Sequence, residues 1–408
     1  MATSYWIGDA KPVAQVDTLT PASVGIGDVF TVTINGKSIS FTATAATVAN
    51  VTAGLVALLS ASELAEFAEI AWADITTAIT ATAEEPGVGF TLTVGASGGS
   101  ATFGRSATTA NSGPGLWSVA ANHSGAAVPS STDTVWLSNS DNDIGDGLGQ
   151  SAVTLTAFNI EQSFTGDMGR PDDTGTYNEY RDKYLAISAT TANVGMGNGS
   201  GSQLLRLNTG SNAATVNVFN TGSSSETNYE TFLWKGTHAS NVVNVTRGSV
   251  GIAVKPGEAA TVATLRVGYQ TSVESDATVR LGTGVTLTTV DQTGGRVTCG
   301  SSFTTLGIKG GTFSTAFAAA GTTLNVDGGT AIWQSSGNIA TLNIGNGGTF
   351  DASQDMRPIT VTDCVIQAGA TLRDPHKRIT FTNGIILNRC SLSEVVLDVG
   401  THVTLAVS

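Results

Sequence analysis

The chain has 408 residues, 12% of them charged, with 49 Gly, 9 Pro and a formal net charge of -13. Such a length buries a large core without disulfide or metal staples, and the acidic balance excludes an affinity built on neutralising phosphates, so nucleic acid is set aside as a partner. Abundant Thr, Ser, Ala, Val and Asn beside the Gly describe many short strands joined by tight turns rather than long exposed helices.

The opening stretch "MATSYWIGDAKPVAQ" holds no basic segment followed by an apolar run, so no secretory signal is expected and synthesis in a cytoplasm is. No window approaches 18 uninterrupted apolar residues, which argues against membrane insertion. Asp28 to Ile34 alternates apolar and polar residues, Asn35-Gly36 supplies a two-residue turn, and Lys37 to Ala43 alternates again, which predicts a β-hairpin. Val48, Val51, Leu55, Leu58 and Leu59 then fall at helical spacing, with Thr47 or Thr44 placed to cap the start. Ser62 to Ile70 suggests a short second helix. Ile75 to Ala83 and Phe90 to Ala96 flank the turn "EEPGVG" and read as a second hairpin. Together these predict a small α+β module over residues 1–96.

Residues 97–132 thin into Gly, Ser, Ala and Thr, broken by "GLWSVA", and read as a linker. From residue 133 to 408 short apolar clusters alternate with turns. Three of them nearly repeat: "TLGIKGGT" from Thr305, "TLNVDGGT" from Thr323 and "TLNIGNGGT" from Thr341, starting 18 residues apart. Leu306, Leu324 and Leu342 occupy one position, and Ile308, Val326 and Ile344 the position two residues on, so both point to one face of a strand. A Gly pair follows each time, where the chain turns a corner; Gly294-Gly295 is an earlier copy, and "ITVTD" from Ile359 and "ITFTN" from Ile379 keep the β-branched signature without it. At about 3.3 Å per residue such a repeat makes a closed rung of roughly 60 Å, enough for three short strands and their corners. The fold expected is mainly β: a right-handed parallel β-helix over 133–408 behind the α+β module. A β-sandwich also suits short, regularly spaced strands, but the shared register favours the solenoid. The strand-like C-terminus has no capping helix, so closure by other copies in a homotrimer is expected.

Chemistry is sparse. Phosphate-loop, zinc-protease and nucleophile-elbow motifs are absent, and the glycine runs "GDGLG" and "GMGNGSG" lack a strand-to-helix context, so no cofactor and no catalytic residue is assigned. Cys299, Cys364 and Cys390 read as small buried hydrophobes, and His123, His238, His376 and His402 as structural. Asp141, Asp143 and Asp146 fall within six residues, an oxygen-rich pattern that can bind Ca²⁺, but the Gly and Glu of an EF-hand loop are missing and a solvated turn is the preferred reading. "GDMGRPDDTGTYNEYRDKY", Gly166 to Tyr184, sets Asp172, Asp173, Glu179 and Asp182 near Arg170, Arg181 and three tyrosines, and must leave the rung pattern as an insertion. Paired carboxylates beside aromatics are what glycan cleavage requires, whereas Tyr and Arg together suit an interface; the interface reading is preferred. Arg247, Arg266, Arg280 and Arg296 suit one lined outer face or, equally, a solvated stripe.

"VGIGDVFTVTINGKSISFTATA" followed by an Ala-rich helix resembles a small module of tailed-bacteriophage structural proteins. "FLWKGTHASNVVNVTRGSVGIAV", "TVATLRVGYQT" and "TLTTVDQTGG" are similar to segments of phage and prophage proteins that carry β-solenoid bodies. The resemblance touches most of the chain and implies a virion component on the particle exterior. In it the N-terminal module docks to a major capsid protein or a tail protein and the solenoid projects outward, as a capsid decoration or head fibre. The other expectation is a tail fibre or tailspike that meets host surface glycan; a bacterial adhesin is disfavoured by the missing signal segment.

Overall fold

A computed structural model describes residues 2–171, 177–197, 203–222, 230–268, 277–399 and 403–407. From Thr134 onward the chain winds as a parallel β-solenoid, each strand pairing with the equivalent strand of the next rung. Parallel pairing throughout the body excludes a sandwich, whose sheets are antiparallel. The repeat sets the register. Thr305, Thr323 and Thr341 stack, as do Leu306, Leu324 and Leu342, and Ile308, Val326 and Ile344. The apolar members of these ranks are at most 1% exposed, so each rung lays its leucines on those of its neighbour along one continuous core.

Outward positions alternate with the core ranks and stack likewise. On one face Asn159, Asn193, Asn217 and Asn244 form an amide ladder, the Nδ2 of each of the last three donating to the Oδ1 of the preceding rung at 2.8–2.9 Å, and Arg266 continues it onto Asn244 at 3.1 Å. Asn343 and Asn325 repeat the bond at 2.8 Å. A stacked amide satisfies its neighbour's donor without a charge, so this rank carries none from Asn159 to Asn244. The four arginines do not share a face: Arg266 stands on this one, Arg280 and Arg296 lie on strands of another sheet, and Arg247 sits in a turn. Arg266 and Arg280 are 14 residues apart, short of the 25 that separate Arg266 from its stacked partner Asp291, so they fall on different strands.

The module is built as expected in its first half. Strands Val29–Ile34 and Lys37–Thr42 pair antiparallel across Asn35 and Gly36, both with positive φ (50° and 74°). Helix Val48–Ser60 starts at Thr47, whose hydroxyl accepts the Asn50 backbone N–H, and buries Val51, Thr52, Leu55 and Leu59. Leu58 points outward. A short helix, Ala65–Ala68, follows. Two ion pairs brace the module: Arg105 to the fully buried Asp17 of the neighbouring strand at 2.5 Å, and Lys37 to the fully buried Glu66 of the short helix at 2.7 Å.

The second hairpin is not formed. Ile79–Ala83 pairs with Ile70–Asp74 and Val16–Ala22, while Thr93–Ser97 joins the other sheet beside Val29–Ile34. The division into 1–96, 97–132 and 133–408 is redrawn as well. Thr3–Tyr5 belongs to the solenoid, pairing parallel with Thr134–Leu137, and Thr102–Thr109, within the expected linker, completes the module sheet against Val16–Ala22. The module is therefore an insertion: the chain leaves the first rung, folds the module, and returns to the rung.

Candidate functional site

Where the chain re-enters the solenoid, three aromatic rings close its end. Trp6 and Trp117 stack at 5.7 Å, and His123 meets Trp117 edge-on at 4.9 Å; all three are at most 1% exposed. The His123 ring accordingly donates Nε2–H to the Trp117 carbonyl at 2.8 Å. Buried Asn122 bridges beside it, accepting the Ala10 N–H and donating to the carbonyls of Gly113 and Leu116, each at 2.8 Å. Nothing in this cap is linker-like; in an aromatic-poor chain, the tryptophan of "GLWSVA" was the signal. Burial pushes the His123 pKa down, so the unfolded chain takes up a proton near pH 6.5 that the folded chain refuses. Stability is therefore complete above about pH 6.5 and falls as the pH drops from there to the folded value. His123→Gln is expected to flatten that part of a melting-temperature curve; an unchanged slope would show that His123 does not titrate on unfolding.

One charged cluster joins module to solenoid, and it contains most of the residues singled out between Asp141 and Asp182. Glu179, 4% exposed, accepts the Arg181 Nε–H at 2.7 Å on one oxygen and its Nη2–H at 3.0 Å on the other, with Arg170 at 3.7 Å. Arg181 also reaches the module, donating to the Gly89 carbonyl at 3.0 Å and pairing with Glu69 at 3.3 Å. Tyr177 and Tyr180 donate their hydroxyls to the same Glu69 carboxylate, and Arg181 lies 5.2 Å from the Tyr180 ring centre. Arg170 pairs with Asp146 at 2.7 Å and donates to the Gly145 carbonyl. Burial pushes the Glu179 carboxyl up, but the hydrogen bonds and charge of Arg181 outweigh it and hold it below the usual range. Burial dominates at Glu69 and Asp146, which are raised despite Arg181 and Arg170. Burial beside Glu69 likewise raises the Tyr180 phenol.

Asp172 and Asp173 lie outside the described residues, as does His402. Asp143 accepts the Asp167 backbone N–H at 2.8 Å, Asp146 is committed to Arg170, and Asp141 is exposed, so the acidic run is divided among separate tasks. Among the described residues no three His, Cys, Asp or Glu side chains are grouped to hold a metal ion. His238 accepts the Ser240 N–H within a local turn, and His376 bonds the Ser353 carbonyl one rung away; both are structural contacts. All three cysteines are free and buried in core ranks, and burial pushes the Cys364 thiol up to about 12. Glu69 was missed because nothing in "SELAEFAEI" sets it apart from a solvated helix residue.

Two clefts flank the cluster. One, about 540 Å³, runs between Gln15, Asn35, Phe90 and Asn111 on the module side and Asp146 and Tyr180 on the other; the second, about 1050 Å³, lies over Ala186, Asn208 and Gly236 of the first rungs. Arg181 and Asp182 line both. Neither Glu69 nor Glu179 lines either cleft. No protein-family model, curated protein or solved structure matches the chain.

Proposed function

We propose that this chain is a non-enzymatic structural protein of a tailed-bacteriophage virion, a β-solenoid rod mounted through its α+β module as a capsid-surface decoration or head fibre. The observation that carries the reading is the joint. The module is spliced into the first rung by two strand crossings and bolted by Arg181, which reaches Glu69 and the Gly89 carbonyl and so fixes the direction of the rod relative to its mount. A hinged linker would not transmit orientation. Of the carboxylates that glycan cleavage would use, Glu179 weighs the same way: it is held ionised between two arginines and faces no cleft, whereas a general acid needs a raised pKa and access to substrate. Association of copies draws support from the last rungs, where Leu392, Val396 and Leu405 are 57%, 58% and 39% exposed.

Imaging particles with a label fused to the module tests the reading. Label at capsomer centres or three-fold junctions is the expected result; label at the tail tip replaces decoration by a tail fibre, and particles without the chain end the virion proposal. Light scattering of the purified chain is expected to give three times 41.4 kDa, and a monomer mass would remove the homotrimer.

A further inference from the structure

We propose that the two clefts form one groove that binds an acidic carbohydrate chain, a polymer bearing uronate-type carboxylates. Arg181 and Asp182 belong to both walls, so the clefts are continuous where module meets rod. Their combined size exceeds a single sugar ring, and the groove is open along its length, which suits a polymer rather than an enclosed small ligand.

The charge pattern selects the ligand. In a chain of net charge -13, the larger cleft is lined by Arg181, Lys183, Lys235 and Lys255 against Asp182 and Glu258. Lys235 is held in place, its Nζ 4.0 Å from the Tyr184 ring centre and 3.1 Å from a Glu258 oxygen; the other Glu258 oxygen accepts the Lys255 backbone N–H at 3.3 Å. A preset ammonium pairs with a carboxylate at small ordering cost. The flanking carboxylates would repel a nucleic-acid backbone, with its charge on every phosphate. They suit a polymer whose charges are spaced by hydroxyls, because Asp182 and Glu258 accept hydrogen bonds from those hydroxyls. Small residues on the floor, Gly149, Ala186 and Gly236, leave a flat bed, and the polar wall of Gln15, Thr33, Asn35, Thr91 and Asn111 continues it with amide and hydroxyl groups.

The test is calorimetric titration of the full chain with oligogalacturonate, with neutral dextran and a single-stranded oligonucleotide as comparisons. Oligogalacturonate is expected to bind at low salt and to weaken as salt rises. The Lys183→Gln/Lys255→Gln double variant, checked for an unchanged melting temperature, is expected to raise Kd by roughly tenfold. Lys309→Gln removes a cation far along the rod, 61% exposed, and is expected to leave Kd unchanged. Equal loss from Lys309→Gln would show unspecific attraction, equal affinity for dextran would remove the charge argument, and tighter binding of the oligonucleotide would make the groove a phosphate reader. Each of these, or no binding at all, overturns the proposal without bearing on whether the chain is a virion component.

Discussion

Replacing Arg181 by methionine is expected to lower the stability of the module–rod joint by about 3 kcal/mol. Methionine keeps much of the side-chain length and none of the charge. The loss is not the net worth of a salt bridge; it is the cost of what stays behind. Glu179, 4% exposed, would retain the Arg181 backbone N–H and a distant Arg170 at 3.7 Å, and Glu69 would be left with the two tyrosine hydroxyls. Breaking a buried pair from one side typically costs about 3–5 kcal/mol, and the 11% exposure of the arginine side chain places this case at the lower end. Adding Glu179→Met is expected to restore part of the loss, since the stranded carboxylate is then gone. Arg181→Lys is not a mild change here, because one ammonium cannot reach Glu179, Glu69 and the Gly89 carbonyl together. Denaturant unfolding followed by tryptophan fluorescence reads the joint through Trp6 and Trp117 in the adjacent cap. A single variant within about 0.5 kcal/mol of the parent would mean that the cluster does not hold the joint.

The solenoid was legible because its two signals are local and repeated. Leu324 and Val326 alternate with Asn325 inside one strand, and the next rung says the same thing with Leu342, Ile344 and Asn343. The module borders were not legible, for physical reasons that differ at each place. Thr3–Tyr5 is three residues long, too short for any periodicity. Thr102–Thr109 is an edge strand, exposed along most of its length, so no apolar alternation marks it. The second hairpin failed for a third reason. Its true turn lies at Ile75–Ala78, where Thr76 takes a φ of 71° that a β-branched residue resists. The Asp74 carboxylate, accepting the Thr76 N–H at 2.6 Å, supplies a contact that composition does not reveal. Of the joint, Glu179 and Arg181 stood out by local charge density, while Glu69 and Asp146 became partners only when the fold brought distant segments together.

Gly329→Ala and Gly347→Ala are expected to differ widely although both glycines belong to the repeated pair and both have positive φ, 65° and 79°. A Cβ on Gly329 would stand 2.5 Å from the Gly311 carbonyl oxygen and 2.8 Å from the Gly310 carbonyl carbon, backbone of the rung below that can yield only by shifting the stack. A Cβ on Gly347 meets nothing within 4 Å. The cause is one extra residue. Thr312 and Thr330 pair 18 residues apart, but Thr330 pairs with Thr349 across 19, and the insertion separates the two duties of the corner. Gly347 keeps the left-handed turn, while Gly348 takes the close approach, its Cβ falling 2.0 Å from the Val326 carbonyl oxygen. Conformational strain alone should cost about 1 kcal/mol at Gly347. At Gly329 strain and overpacking add, to about 3 kcal/mol, and Gly348→Ala should resemble Gly329→Ala despite its ordinary φ. Because a solenoid rung leans only on its neighbours, the loss should also be local, seen as faster hydrogen exchange in strands Gly321–Val326, Thr330–Ile332 and Ile339–Ile344 before the rest of the rod. Equal costs at Gly347 and Gly348 would mean that the backbone angle, and not the distance between rungs, is what demands glycine at this corner.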